Sequence, residues 1–183
     1  MRVISGTLKG RKLASFRGRH IRPTADRVRE AIFNILNLSW DDREVLDLFA
    51  GTGGLGIEAL SRGAAGAVFV EHDPRACALL EKNLRALLLT GRAEVIRLSV
   101  EEGMRLLKRR KRSFDAAFLD PPYGTGLADS TLHLCARSAI LREKAVLVVE
   151  HHLRDTIASD YGVFRLSDRR QYGETVISFF DHP

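Results

Sequence analysis

The chain has 183 residues, of which 45% are hydrophobic and 28% are charged, a composition typical of one globular domain. This composition excludes a disordered chain. The apolar runs are too short to cross a bilayer, and the two cysteines are too far apart and too few for a disulfide framework. We therefore expect a cytoplasmic protein with reduced thiols and no membrane association, and the formal net charge of +6 favours a polyanionic partner.

The positive charge is concentrated at the N-terminus. The first thirty residues carry nine Lys or Arg and two acids, which makes them net +7, whereas the other 153 residues are close to neutral. Over residues 1–22, glycines alternate with basic side chains and few apolar ones, which predicts a basic arm or hairpin that buries little and contacts phosphates of a polyanion. The residues predicted to bind this polyanion, RNA by the resemblance given below, are Arg2, Lys9, Arg11, Lys12, Arg17 and Arg19.

From Pro23 onward, the sequence predicts a first helix to about Leu38 and then alternating strands and helices. Strand-like apolar runs cover 45–49, 67–71, 93–98, 114–119 and 145–150. Helical stretches lie between them, at about 54–62, 74–90, 100–110 and 127–138. This alternation is typical of a doubly wound α/β domain with a buried parallel sheet.

The C-terminal part differs from this alternation. Two apolar runs, 163–166 and 175–180, have no helix between them, which predicts an antiparallel hairpin at the sheet edge. His151 and His152 follow the fifth predicted strand near the active edge of the sheet; a role in substrate contact stays open, but we expect them in a solvated loop. The predicted division of the chain is a basic extension with its helix over 1–40 and a catalytic domain over 41–183.

A glycine-rich turn follows the first predicted strand. Residues Gly51 to Gly56 match G-x-G-x-x-G, and Glu71 ends the next strand twenty residues after Gly51, as in dinucleotide-binding proteins. Asp47, however, would repel a pyrophosphate and suits a cationic amino group, and the chain is too short for a second substrate domain. S-adenosylmethionine fits better, because it has a ribose and a cationic amino group and lacks phosphate.

The most informative stretch is Asp120-Pro121-Pro122-Tyr123, directly after the fourth predicted strand. The prolines fix φ and remove two N–H donors, so the local backbone presents carbonyl acceptors, and Tyr123 offers a face on which a base can stack. Hydrogen bonds from an exocyclic amine to Asp120 and the Pro121 carbonyl would aim the nitrogen lone pair at a methyl group. On its own this stretch could be a turn that ends a strand; beside the glycine turn it predicts methylation of a flipped base.

These motifs, with the N-terminal stretches 2–6, 10–13 and 22–30, resemble the bacterial 16S ribosomal RNA (guanine-N2)-methyltransferase family of the RsmD type. This family belongs to the class I S-adenosylmethionine-dependent methyltransferases, and the resemblance covers nearly the whole chain. It implies a seven-stranded sheet with an antiparallel last strand. It also implies methyl transfer from S-adenosylmethionine to N2 of guanine 966 of 16S ribosomal RNA. We expect a monomer that uses no metal and acts on a small-subunit assembly particle.

The resemblance also implies roles for individual residues. Asp47, Gly51 and Gly53 would border the methionine part of the cofactor, and Glu71 would hold its ribose. The full set of implied cofactor-binding residues is Arg22, Thr24, Asp47, Phe49, Gly51, Gly53, Glu71, His72, Ser99, Val100 and Asp120. The implied catalytic residues, which would hold the target guanine, are Asp120, Pro121, Pro122 and Tyr123.

Two other functions stay open on the sequence alone. A DNA adenine-N6 methyltransferase shares Asp-Pro-Pro-Tyr, but this chain has no room for a separate target-recognition domain. A non-catalytic RNA-binding assembly factor could keep the fold, although intact Asp47, Glu71 and Asp120 favour an enzyme.

Overall fold

The structure, a computed structural model, describes residues 1–16 and 23–183, with the backbone only for residues 23–25. The helices in this part of the chain are α1 (Pro23–Leu36), α2 (Gly54–Ser61), α3 (Pro74–Ala86), α4 (Val100–Arg109) and α5 (Leu127–Ser138). The strands are β1 (Glu44–Leu48), β2 (Gly66–Val70), β3 (Ala93–Ile96), β4 (Phe114–Leu119), β5 (Leu141–His152), β6 (Asp160–Tyr161), β7 (Phe164–Tyr172) and β8 (Thr175–Asp181). No helix in the described ranges is long and apolar enough to cross a membrane.

All eight described strands form one sheet, in the order β3-β2-β1-β4-β5-β8-β7-β6. The first five in this order pair in parallel, and β8, β7 and β6 pair antiparallel. This arrangement confirms the predicted doubly wound α/β fold with an antiparallel end. The described sheet has eight strands rather than seven because the two-residue β6 also pairs with β7.

The parallel strands are buried on both faces, as their continuous apolar runs predict. Phe118 and Val148 belong to one hydrophobic core, and Leu119 and Val149 belong to the other. Successive residues of β4 and β5 therefore point to opposite faces of the sheet. Residues two positions apart share a face, which decides where the polar residues at the strand ends lie.

Strand β5 is longer than predicted. His151 and His152 pair with Val176 and Thr175 of β8, so the prediction of a solvated loop for these two histidines is wrong. The His151 side chain is 3% exposed and its Nε2 lies 3.0 Å from Ser178 Oγ. Pairing with a strand that is distant in sequence, rather than local hydrophobicity, extends β5 to the sheet edge.

The N-terminal residues form a small hairpin against the catalytic body. Val3 N–H donates to the Arg11 carbonyl at 3.0 Å, and Leu13 N–H donates to the Met1 carbonyl at 3.0 Å. Val3 is 1% exposed and Leu13 is 6% exposed, so the prediction that this stretch buries little is wrong. The hairpin contributes these apolar side chains to the core, while the basic residues with described side chains, Arg2, Lys9, Arg11 and Lys12, are exposed.

A buried carboxylate, Glu58 of α2, anchors this hairpin. Its two oxygens accept hydrogen bonds from Ile4 N–H at 2.8 Å and Ser5 N–H at 2.9 Å. The guanidinium groups of Arg62 and Arg29 lie 2.9 and 3.8 Å from the same carboxylate. Because a buried charge must be paired and hydrogen-bonded to be tolerated, Glu58 makes the position of the hairpin specific.

The start of α2 packs too tightly for a side chain at Gly56. A Cβ placed there would lie 2.3 Å from Cε1 of Phe69 and 3.1 Å from Oδ2 of Asp47. We expect Gly56→Ala to lower the free energy of unfolding by about 1–3 kcal/mol, since an overpacked core must shift its neighbours. Chemical denaturation measures this. The matched control is Gly91→Ala, where a Cβ meets nothing within 4 Å; similar losses in both variants would contradict this packing.

Candidate active site

Four carboxylates gather where the parallel strands end: Asp47, Glu71, Asp120 and Glu150. Leu48 of β1 pairs with Leu119 of β4, so the turn that follows β1 and the stretch that begins with Asp120 leave the sheet side by side. The structure therefore brings together the two motifs that the sequence analysis singled out. Within residues 1–16 and 23–183, no group of three or more His, Cys, Asp or Glu side chains is arranged to hold a metal ion.

The glycine turn begins with a strained residue. Phe49 has φ of 63°, a left-handed conformation that is uncommon for an aromatic residue and that clusters at functional sites. Gly53 has φ of 88°, and a Cβ there would lie 2.4 Å from Leu80 Cδ1. The backbone can therefore make this sharp turn only because Gly53 lacks a side chain.

Asp47 lies beneath this turn and is 2% exposed. Its Oδ2 accepts a hydrogen bond from Gly56 N–H at 2.8 Å. Burial raises the pKa of Asp47 to about 7; the Gly56 hydrogen bond opposes this rise and the nearby Glu71 adds to it. A cationic group placed beside Asp47 would favour its ionised form, so the site suits an ammonium group.

Glu71 is held in place by backbone donors on both oxygens. Gly51 N–H donates to Oε2 at 2.8 Å and Asp73 N–H donates to Oε1 at 2.8 Å. His72 Nδ1 also lies 3.2 Å from Oε1. Because each carboxylate oxygen can accept more than one hydrogen bond, Glu71 keeps acceptor capacity for a ribose diol.

A cleft of about 500 Å³ opens beside Glu71. The predicted cofactor-binding residues that line it are Phe49, Glu71, His72, Ser99 and Val100. The Ser99 hydroxyl donates to Glu102 at 2.6 Å and caps α4, so its hydrogen is already engaged. The wall formed by α5 adds Leu127 and Leu134, and these apolar side chains suit a flat, weakly polar ring.

Asp120 lies on the other side of the turn. Its side chain is accessible to solvent at the site, and among the described residues it accepts no hydrogen bond. The surrounding protein raises the pKa of Asp120 well above its ordinary value, and the carboxylates of Glu150 and Asp47 raise it further. An accessible carboxylate without an internal partner is available for donors on a substrate.

Comparison with known proteins decides the family. The family model described as Conserved hypothetical protein 95 matches residues 1–181. Ribosomal RNA small subunit methyltransferase D of Escherichia coli K12 is 38% identical over 168 residues, which cover 90% of this chain and 83% of that protein. The chain belongs to the ribosomal RNA small subunit methyltransferase D family. The resemblance inferred from the motifs is thus confirmed.

Solved structures agree with membership of the small subunit methyltransferase D family. The Escherichia coli protein yhhF is 35% identical, with a TM-score of 0.86 over 100% of this chain and 97% of that one. The methyltransferase SMU.776, crystallised with S-adenosylhomocysteine, is 17% identical, with a TM-score of 0.67 over 85% of this chain and 48% of that one. This second likeness shows the fold alone.

In this member of the small subunit methyltransferase D family, Tyr123 is held at the site by its hydroxyl. The hydroxyl donates to Glu150 Oε1 at 2.7 Å and lies 3.1 Å from Thr175 Oγ1. Tyr123 is 42% exposed, and the centroid of its ring lies 5.6 Å from that of His152. Burial of the hydroxyl raises the pKa of Tyr123, so it stays a donor at neutral pH.

Glu150 and Thr175 are site residues that the sequence analysis missed. Glu150 could have been found, because it ends a predicted strand as Glu71 does. Thr175 could not, because its place depends on the pairing of β8 with β5. Arg17, Arg19 and Arg22 lie outside the described residues, and the side chain of Thr24 is not described.

Proposed function

We propose that this chain transfers a methyl group from S-adenosylmethionine to the exocyclic N2 of guanine 966 in 16S ribosomal RNA. The observation that carries the proposal is Asp120, an accessible carboxylate without a hydrogen-bond partner among the described residues. It leaves the sheet beside the glycine turn, whose Phe49 lines a cofactor-sized cleft. Membership of a ribosomal RNA methyltransferase family supports the class of substrate. The further choice of guanine and of this nucleotide rests on the resemblance of the motifs.

The residues of the cleft fit the proposed cofactor. When bound, S-adenosylmethionine supplies an electrophilic methyl group on a positively charged sulfur. Buried Asp47 would pair with its ammonium group, since the two opposite charges stabilise each other. Glu71 would accept hydrogen bonds from the ribose diol with its free lone pairs. The apolar walls at Val100 and Leu134 would enclose the adenine.

Asp120 would orient and deprotonate the target amine. The lone pair of this amine is delocalised into the ring, so hydrogen bonds to Asp120 and the Pro121 carbonyl are needed to aim it. The bound cofactor would supply the methyl group and keep the electron pair of its carbon–sulfur bond. Asp120 would accept the proton that N2 loses, and its raised pKa makes it a better acceptor than an ordinary carboxylate.

The direct test is methyl transfer from S-adenosylmethionine to 16S ribosomal RNA and to small-subunit particles, followed by nucleoside analysis. N2-methylguanosine at position 966 is expected. N6-methyladenosine would instead identify an adenine methyltransferase, and no cofactor binding in calorimetry would support an RNA-binding assembly factor. We further propose that the enzyme acts as a monomer on an assembly particle; faster methylation of naked RNA than of particles would contradict this choice.

The exposed basic residues of the hairpin provide a surface for RNA phosphates. We expect the double charge reversal Arg11→Glu/Lys12→Glu to weaken RNA binding and to reduce the slope of log affinity against log salt by about 1–2, since each lost phosphate contact removes about 0.7–0.9 from it. Binding titrations at several salt concentrations measure this. Lys108→Glu/Arg109→Glu, an equal charge change at the end of α4, is the control and should leave the slope unchanged. An unaltered slope in the hairpin variant would contradict the assignment.

A further inference from the structure

Asp120 and Glu150 form a side-by-side pair of carboxylates. Their strands are adjacent and parallel, and Leu119 pairs in register with Val149, so the next residue of each strand lies beside the other. Asp120 lies two positions after Phe118, and Glu150 lies two positions after Val148. Because Phe118 and Val148 belong to the same hydrophobic core, the two carboxylates lie on the same face of the sheet. Neighbouring strands are about 4.8 Å apart, a spacing at which both carboxylates can reach one planar base.

Glu150 is held in a fixed orientation. Its Oε1 accepts the Tyr123 hydroxyl proton at 2.7 Å. Because that phenol has only one proton, Thr175 Oγ1, 3.1 Å away, must be the donor in its own contact with Tyr123. Among the described residues, the second oxygen of Glu150 accepts no hydrogen bond and the carboxylate has no cationic partner. A partly buried carboxylate in this state has a free acceptor oxygen for an N–H donor from outside the protein.

We propose that Glu150 accepts the N1–H of the target base while Asp120 accepts hydrogen bonds from its N2 amine, so that the pair selects guanine. This inference rests on the proposed function, since it concerns the base that the same site methylates. Guanine presents N1–H and N2–H as adjacent donors along one edge, which two neighbouring carboxylates match. Adenine presents an unprotonated N1 beside its amine, and that lone pair would face the Glu150 carboxylate.

The two carboxylates already interact in the free protein. Desolvation by the surrounding protein, and then the Glu150 carboxylate, raise the pKa of Asp120, and burial raises the pKa of Glu150. Donors from a guanine edge would relieve this repulsion by stabilising both ionised forms. An anionic acceptor on N1–H would also push electron density toward N2, which needs it to attack the methyl group. Glu150 would thus determine specificity and assist Asp120 without contacting the reacting atoms.

The experiment uses the full chain and two 16S ribosomal RNA fragments, one with guanine and one with 2-aminopurine at the target position. 2-Aminopurine keeps the exocyclic amine but has an unprotonated N1. Loss of a well-placed base contact changes discrimination by about 1–3 kcal/mol, so we expect the wild-type kcat/KM for guanine to exceed that for 2-aminopurine by about 5–150-fold. Because 2-aminopurine also lacks the O6 of guanine, this ratio is read together with that of a Glu150 variant.

Glu150→Gln should narrow that ratio to about unity. The Tyr123 hydroxyl would donate to the amide oxygen, so the amide NH₂ would face the base. There it would oppose the N1–H of guanine, whereas it would donate a hydrogen bond to the unprotonated N1 of 2-aminopurine. Guanine methylation should therefore fall while 2-aminopurine methylation stays equal or rises. Glu143→Gln, the same change at the exposed far end of β5, is the matched control and should keep the wild-type ratio. If Glu150→Gln fails to fold, Tyr123→Phe, which releases Glu150 from its donor, tests the same ratio.

The outcomes separate the inference from the proposed function. A wild-type enzyme that methylates guanine and 2-aminopurine equally well would overturn the role of Glu150 and leave the proposed function standing. Equal losses on both substrates in Glu150→Gln would show that Glu150 is merely structural. A wild-type enzyme that methylates neither fragment, nor 16S ribosomal RNA itself, would overturn the proposed function and the inference with it.

Discussion

Asp120→Ala is expected to lower kcat for methyl transfer by about two to three orders of magnitude, the usual effect of removing one preorganised electrostatic contact to a reacting group. The change removes both the acceptor that orients the amine and the group that takes its proton. Cofactor affinity should stay within a few-fold of wild type, because Asp47, Glu71 and the cleft walls are unchanged. Single-turnover kinetics and calorimetry measure the two quantities separately.

The control for this variant is Asp181→Ala. Asp181 is exposed and lies at the end of β8, and β8 begins at the active edge with Thr175. The control variant therefore loses an aspartate from the same sheet but far from the proposed site, and its kcat should equal that of the wild type. Lost folding or a large loss of cofactor affinity in Asp120→Ala would contradict the assignment, and so would a loss of less than threefold in kcat.

Asp47→Asn is expected to weaken cofactor binding and yet to stabilise the free protein above neutral pH. Loss of the charge opposite an ammonium group costs about 1.5–3 kcal/mol, which is about a 10–150-fold rise in Kd. Stability changes in the opposite direction because burial raises the pKa of Asp47 from 3.8 to about 7. A raised carboxyl pKa means that the folded state binds the proton more tightly, so stability falls as pH rises between those two values.

The pH window follows from this sign. Below about pH 4 Asp47 is protonated in both states, so the substitution should show only the cost of its unpartnered amide NH₂, a loss of about 2 kcal/mol. Above about pH 7 the wild type bears the full cost of a buried charge, on the order of 4 kcal/mol from the size of the shift. Asp47→Asn removes this cost, but its amide NH₂ lacks a partner, which offsets about half of the stability gained. We therefore expect the variant to be about 2 kcal/mol more stable than the wild type at pH 8. Denaturation at pH 8 and at pH 4 measures it, and a less stable variant at pH 8 would refute a buried ionised Asp47.

Sequence alone predicted most of the parallel part of the fold. Apolar runs and helix signals placed β1, β2 and β4 within one residue of their observed limits, because both faces of these strands are buried. Asp73 followed by Pro74 also marked the start of α3, where Asp73 accepts a hydrogen bond from Arg75 N–H at 2.8 Å. Such local signals suffice where burial and capping determine the element.

The features that the sequence did not predict depend on long-range pairing. The two-residue β6 and the extension of β5 to His152 exist because β7 and β8 supply hydrogen bonds to them. At the candidate site, Asp120 was identified from its own motif, whereas Glu150 becomes significant only through its hydrogen bond to Tyr123. The hairpin was predicted to be nearly free because its partner, Glu58, lies more than fifty residues away.

The attachment of the hairpin has a consequence for the order of events during synthesis. Ala14 exchanges hydrogen bonds with the side chain of Asn83, which also donates to the Thr52 carbonyl in the glycine turn. Chains emerge from the ribosome N-terminus first, so the basic hairpin leaves the exit tunnel well before the helices on which it docks. The basic hairpin therefore cannot dock until α2 and α3 have been synthesised, and until then its basic residues stay exposed beside the ribosome's own RNA.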